Sequence, residues 1–434
     1  MSDFKEYVKY VVLNVLGMIG LSCYILADTF FVSKGLGSNG LTALNLAIPI
    51  YNFIHGTGLM LGMGGATRYS MARSQGAQEQ GNQVFSHTFI MTVGFAILFF
   101  CVGLFGSEQL TRILGADEAV FSMCKIYLQV MLLFSPAFLM NDLLICFVRN
   151  DGAPQLSMTA MLAGSFSNII LDYVFIFIFR LGIFGAVFAT GFAPIISMAI
   201  MSRHLRKRQN KFHFVRSGKL TQWIRPVFVT GAPSLVSEVS SGIVMLIYNM
   251  ILLQIRGNIG VAAYGVIANL SLVVIAIYTG IAQGIQPLVS RHFGTGKKIP
   301  LRNIYRYAVW TIVILSAIIF GGMFLGAEGI TAIFNSEGSK EMQVVAVDGI
   351  RLYFIACGFA GYNIVLSIYF AATDRAQAAN VVSVLRGFLL IIPVTFLMTA
   401  IWGIKGLWLA FPVTEAMVTL IGLIMWRRLE RSQE

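Results

Sequence analysis

The sequence predicts an all-α integral membrane protein. Twelve transmembrane helices form two six-helix bundles related by a pseudo-two-fold axis along the membrane normal. Three observations predict this: an apolar composition that runs from end to end, an alternation of basic loops, and a weak repeat of the first half in the second. The chain has 434 residues, 57% of them hydrophobic and only 12% charged. A soluble domain carries about 25% charged residues. Apolar stretches recur throughout, each near the roughly 20 residues that cross a hydrocarbon core of about 30 Å. No stretch of soluble-domain character interrupts them. The first run, from Lys9 to Phe31, is too long for a signal-peptide core and precedes no small-residue cleavage site, so it reads as the first span.

The predicted spans are 9–33, 40–66, 85–106, 118–146, 155–179 and 181–203, then 223–253, 257–283, 303–326, 343–372, 375–398 and 402–426. Residues 1–202 form a first lobe, 203–222 a basic linker and 223–434 a second lobe. Of the 31 Lys and Arg, 22 lie at the termini and in even-numbered loops. Six lie in odd-numbered loops (Lys34, Arg112, Arg180, Arg256, Lys340 and Lys405) and three within spans, Lys125, Arg351 and Arg386. Positive loops stay in the cytoplasm, which places both termini there, and a missed helix would scramble the alternation. The linker, RHLRKRQNKFHFVRSGK, is the most basic loop, and no acid occurs between Asp172 and Glu238. The net charge of +12 therefore reads as topogenic and lipid-facing, with no nucleic-acid partner.

Shifting the sequence by 220 residues lays Gly40–Gly76 over Gly260–Gly296, with Ala43/Ala263, Gly64/Gly284 and Ser70/Ser290 in register. A shift of 221 pairs Gly182, Gly185 and Ala189 with Gly403, Gly406 and Ala410, and a shift of 223 pairs Phe147–Asp151 with Phe370–Asp374. Six helices is an even number, so both copies share one orientation, as in transporters with parallel repeats and a central site. Pairs of glycines four apart at Gly58/Gly62, Gly280/Gly284 and Gly322/Gly326 predict close helix packing. Pro136, Pro194, Pro233, Pro393 and Pro412 fall inside spans and predict bends.

The polar residues inside the spans point to the chemistry. A charge at the middle of a membrane helix costs about 2.5–3.5 kcal/mol on insertion scales, so it needs a partner, water or a cation. Asp28 and Asp172 have no basic neighbour in their own runs. Asn168 precedes Asp172 by one turn, and Thr190 lies at the same depth from the outer end of span six. Asp28 has a similar depth in span one, with Tyr24 one turn below it. Two carboxylates, an amide and a hydroxyl suit H⁺ or Na⁺, and the two carboxylates cannot both stay ionised without a cation. Asn141, Tyr24 and Glu238 are candidates for a substrate cavity, with His55, Asp142, Asp348 (beside Arg351) and Glu415 weaker ones. The 20 Met and 34 Phe would give such a cavity an adaptable apolar wall. The five cysteines show no CxxC spacing and read as small apolar core residues. Gly35, Gly37 and Gly40 spell GxGxxG, but no strand or βαβ unit surrounds them, so no dinucleotide site is indicated. No P-loop, HExxH or GxSxG is present, so the chain is not predicted to be an enzyme or an ATPase, and any transport is driven by an ion gradient.

Three stretches carry a family resemblance: DTFFVSKGLGSNGLTALNLAIPIYN at Asp28–Asn52, FVRNDGAP at Phe147–Pro154, and GIAQGIQPLVSRHFGTGKK at Gly280–Lys298. With them the chain resembles the multidrug and toxic compound extrusion (MATE) family, in its DinF branch and among MepA-like bacterial members. The resemblance implies a monomeric antiporter of the bacterial inner membrane. It would export organic cations or drugs in exchange for H⁺ or Na⁺, with no other cofactor. It assigns Asp28, Asn168, Asp172 and Thr190 to the cation site, and Glu238 to an acidic position on span seven. The matching acid on span ten is absent, where Ala360, Gly361 and Tyr362 stand, and span one has no kinking proline. Two rivals remain: a lipid or cell-wall-precursor flippase, which predicts cationic groups such as Arg351, Arg386 or Lys125 in the cavity, and a narrow-substrate exporter.

Overall fold

The computed structural model describes residues 3–216, 221–335 and 338–431, with side chains to Leu429; linker residues 217–220 lie outside the described set. Spans one and two form one helix, Asp3–Ser74, broken only at Gly37 (φ 67°, ψ −160°). Spans seven and eight likewise form Thr221–Gly294, broken at Gly257, and span twelve follows the break at Gly403 in Ile391–Arg431. The predicted loops at these places shrink to one residue, because only glycine takes this backbone without strain. Span three is Gln78–Phe105. Span four is the bent pair Glu118–Leu133 and Ser135–Asn150, which meet at 48° beside Pro136. Span five is Pro154–Tyr173 extended by a π-helical turn at Val174–Ile178, and span six is Gly182–Arg206. Span nine is Lys298–Phe334, and span ten joins Lys340–Tyr353 to Cys357–Ala372. Span eleven starts as Ala376–Val384 and carries a second π-helical turn, Leu385–Leu389. Dividing the long helices at their glycines gives the twelve predicted spans.

The repeat has a backbone cause. Gly37/Gly257, Gly76/Gly296 and Gly182/Gly403 all have positive φ and stand at the offsets of 220 and 221 residues. What recurs between the halves is largely the set of positions where a side chain would strain the turn. Gly64 and Gly284 recur for another reason, the close approach of the lobes. Gly64 of span two lies against the Val227 carbonyl of span seven, and a Cβ on Gly284 of span eight would sit 2.8 Å from Val11 Cα of span one.

The lobes are joined at the end that carries the basic loops. Tyr7, Tyr10 and Val11 of span one pack into the apolar core of the second lobe. Arg149 is fully buried and donates to Asn14 Oδ1 and Gln283 Oε1, both at 2.8 Å. Gln286 bonds to Asn150 and to Thr67, so the Gln286–Pro287 step of the sequence is an interlobe tie. Arg68 of span two pairs with Asp374 beyond span ten at 2.6 Å.

Arg291 donates to both oxygens of Glu6 at 2.9 and 2.8 Å, and these bonds hold the Glu6 carboxyl below its ordinary 4.5. A carboxyl depressed in the folded state adds stability above its unfolded value and loses it as the pH falls through the folded value. Wild type should therefore melt higher than Glu6→Gln at pH 7, and the gap should close on acidification below pH 4.5. A gap that persists at pH 3 would remove the ion pair as its source.

Several local expectations change. Arg351 bonds to Glu328 at 3.2 Å, not to Asp348. Gly322 and Gly326 face open space or their own helix, so this pair marks no helix contact. Pro194, Pro233 and Pro412 do lie inside helices, as expected. Cys124, Cys146 and Cys357 are buried, whereas Cys23 and Cys101 are exposed.

Candidate functional site

Beyond the interlobe ties lies a cavity of about 430 Å³ between the lobes, within the usual ligand range of about 300–1,000 Å³. Spans one, two, seven and eight supply most of its wall. Ser237, Ser241 and Met245 lie four residues apart on one face of span seven, line the cavity and are exposed, so the cavity reaches the outside of the molecule.

Asp28 and Thr190 stand in the wall, with Asp172 and Asn168 behind them. All four are buried. The carboxyl groups of Asp28 and Asp172 interact directly, and one oxygen of each has no hydrogen-bond partner. Asn168 satisfies its neighbours when its amide nitrogen donates to Asp172 Oδ2 at 3.0 Å and its oxygen accepts from the Thr190 N–H at 3.2 Å. The one-turn spacing on span five and the equal depth on span six thus translate into contact. The π-helical turn at Val174–Ile178 begins two residues after Asp172; such turns gather at functional sites. Two carboxyls held together in an apolar bundle need a proton or a cation between them. The oxygen-only donor set fits a proton or a hard monovalent ion.

Sequence reasoning missed Tyr127 of span four. It is buried and lines the cavity together with Asp28 and Thr190. Its spacing carried no signal, since it lies on a helix remote in sequence from all four partners. Tyr127→Phe should keep the fold and lower coupled transport by about 5- to 10-fold, the equivalent of one hydrogen bond of about 1–1.5 kcal/mol from its hydroxyl to a bound ion or its water. Transport at the wild-type rate would place the hydroxyl outside the site.

A second polar chain runs away from this pair. The Tyr24 hydroxyl meets that of Tyr51 at 2.8 Å, Tyr51 stacks on His55, and His55 Nδ1 lies 2.9 Å from Asp142 Oδ2. Asp142 fits there because Gly58 has no side chain. Glu238 packs against Gly56, next to His55 on span two, and both Glu238 and His55 line the cavity. The candidates Tyr24 and Glu238 do line the cavity, but Asn141 does not. One residue from Asp142, it projects about 100° around the helix, and its Oδ1 is buried without a partner.

Among the described Met and Phe, only Met18, Met245 and Phe411 reach the wall, whose apolar part is otherwise built from Tyr and aliphatic residues. Among the described residues Arg386 is the one Arg or Lys in the lining, and its Nε donates to the buried Glu415 at 2.7 Å. Lys125 pairs with Glu108 outside the cavity. The cavity therefore offers no unpaired lysine or arginine to an anionic headgroup.

The comparisons agree with this architecture. The family model described as MatE matches residues 15–174 and 233–397. The chain is 26% identical to the multidrug export protein MepA of Staphylococcus saprophyticus, over 98% of this chain and 93% of that protein. It is 24% identical to MepA of Staphylococcus aureus strain MRSA252, over 97% of this chain and 93% of that one. Among solved structures, a MOP superfamily transporter from Pyrococcus furiosus superposes with a TM-score of 0.91 at 21% identity, covering 100% of this chain and 96% of that one. A Vibrio cholerae MATE transporter gives 0.91 at 22% identity, covering 99% and 98%.

Proposed function

The chain belongs to the MatE family, and from that premise we propose that it is a secondary antiporter that exports organic cations or drugs in exchange for H⁺ or Na⁺. One observation carries the reading: Asp28 and Asp172 meet in a buried site whose wall opens on the central cavity, each with an unpartnered oxygen. Asn168, Thr190 and Tyr127 complete the oxygen set. The names of the MepA relatives support multidrug export, and Asp28 and Glu238 supply acidic groups toward a basic apolar substrate. The protein sits in a bacterial inner membrane, with the basic end and both termini in the cytoplasm, and works as a monomer.

In this mechanism the interlobe ties close the cytoplasmic end while the cavity faces outward. A cation entering from outside neutralises the Asp28–Asp172 pair, which removes the electrostatic reason for keeping span one in place. The lobes then exchange open ends. One inward charge supplies about 2.3 kcal/mol per 100 mV, which drives the export of a neutral drug; a monovalent cation carries the same charge outward, so its one-for-one exchange is driven by the concentration gradient of the coupling ion. The test is ethidium efflux from proteoliposomes under an imposed pH or Na⁺ gradient. Efflux driven by one gradient names the coupling ion. No movement under either sinks the multidrug reading and favours the narrow-substrate exporter.

A further inference from the structure

We propose that linker residues 206–216 and the neighbouring ends of spans three, four and six form a binding site for one anionic phospholipid, with an acyl chain in an apolar groove and the phosphate on the cations of that segment. The groove holds about 320 Å³ and shares no lining residue with the central cavity. Phe85 of span three, Met140 and Leu144 of span four, Leu205 of span six, and Phe212 and Phe214 of the linker line it. Leu205 and Phe214 are 41% and 63% exposed. Apolar surface left open where helices leave the hydrocarbon is surface that a lipid chain covers.

The linker forms a fixed wall here. Phe212 is buried among Phe85, Tyr69 and Phe147, with the Phe85 ring centroid 4.5 Å away. The Lys211 N–H donates to Asp151 Oδ2, the His213 N–H to Asn82 Oδ1, and the Val215 N–H to Ser86 Oγ, at 2.9, 3.0 and 2.9 Å. Arg73 donates to the Lys211 carbonyl at 3.0 Å. These bonds use the backbone and leave the side-chain charges outward.

Charge decides the occupant. Arg206, Lys207, Arg208, Lys211 and Arg216 alternate along the chain with the residues that line the groove, and all five are exposed. None has a carboxylate partner among the described residues. Asp151, the acid beneath the linker, is taken up by Tyr69, His204 and the Lys211 N–H. Glu79, at the start of span three, is exposed, and Asp374 at the same end is held by Arg68. A zwitterionic lipid has no use for this excess of cations, and a soluble anion has no use for the groove. A basic pocket between helices at the cytoplasmic face matches an anionic headgroup with its chain attached.

The test is native mass spectrometry of the delipidated protein, titrated with phosphatidylglycerol and with phosphatidylcholine of the same chains. One phosphatidylglycerol should be retained, with at least a 10-fold preference over phosphatidylcholine. Combining Arg206→Gln, Lys207→Gln and Arg208→Gln, all on the exposed linker, should erase that preference, by about 10- to 100-fold. Leu144→Trp, which fills the groove, should release the lipid while leaving the cations in place. Glycerol 3-phosphate, the headgroup chemistry without a chain, should not displace it. Equal binding of both lipids, unchanged preference in the triple variant, retention in Leu144→Trp, or displacement by glycerol 3-phosphate would each overturn the proposal.

Discussion

Asp28→Asn is expected to abolish gradient-driven efflux while the protein stays folded and abundant. The substitution keeps size and shape, so the packing of span one against spans two and five survives. It removes one of two carboxyls that interact directly in an apolar bundle. Asp172 is then left as a single carboxyl that can no longer share a coupling ion with a second one, and transport in proteoliposomes should fall to that of empty vesicles. Replacing a buried charge whose oxygen has no partner removes a desolvation cost, so thermal stability should be unchanged or higher. Lost transport together with raised stability is the pattern of a functional site that costs stability. Asp172→Asn should behave alike. If either variant transported at the wild-type rate, that carboxylate would be structural. If both unfolded, the pair would be a clamp between spans one and five.

The second large effect is expected at the lobe interface. Gly64 and Gly284 stand at repeat-related places where one lobe's backbone meets the other's, span two on span seven and span eight on span one. Leucine at either position drives a side chain into backbone that cannot rotate away. Overpacking of this kind costs about 1–3 kcal/mol. The cost falls on the state closed at the basic end, and it is relieved when the lobes part there. Gly64→Leu should thus shift the population toward the state open at the basic end by about 5- to 150-fold. Ser237→Cys, in a background without the exposed Cys23 and Cys101, reports this through labelling by an impermeant thiol reagent from the basic side. Faster labelling with Gly64→Leu, less with Gly64→Ala, is the expected order. Equal rates in all three would mean that this contact does not close the pathway.

The structure also weighs the flippase reading. A lipid-phosphate or cell-wall precursor needs cationic groups in the cavity. Of Lys125, Arg351 and Arg386, only Arg386 is there, and Glu415 already holds it. The exposed cations of the first lobe gather instead on the linker, at the outer surface of the bundle, where a lipid can bind without being carried.

The span count, the duplication and the grouping of Asp28, Asn168, Asp172 and Thr190 at one depth could be read from the letters alone. Each follows from local rules. Apolar length sets a span, one helical turn puts Asn168 beside Asp172, and 1.5 Å per residue sets equal depth. The matched glycines were visible as letters, but their positive φ was not. Which helix faces which came from packing across the whole bundle. That packing brought Tyr127 into the cavity wall with Thr190, set His55 against Asp142, turned Asn141 away from the cavity, and seated Arg149 among amides of both lobes. In the bilayer nearly every residue of a span is apolar on all sides, so periodicity gives little sign of the buried face, and rotation about each helix axis is settled by packing against neighbours.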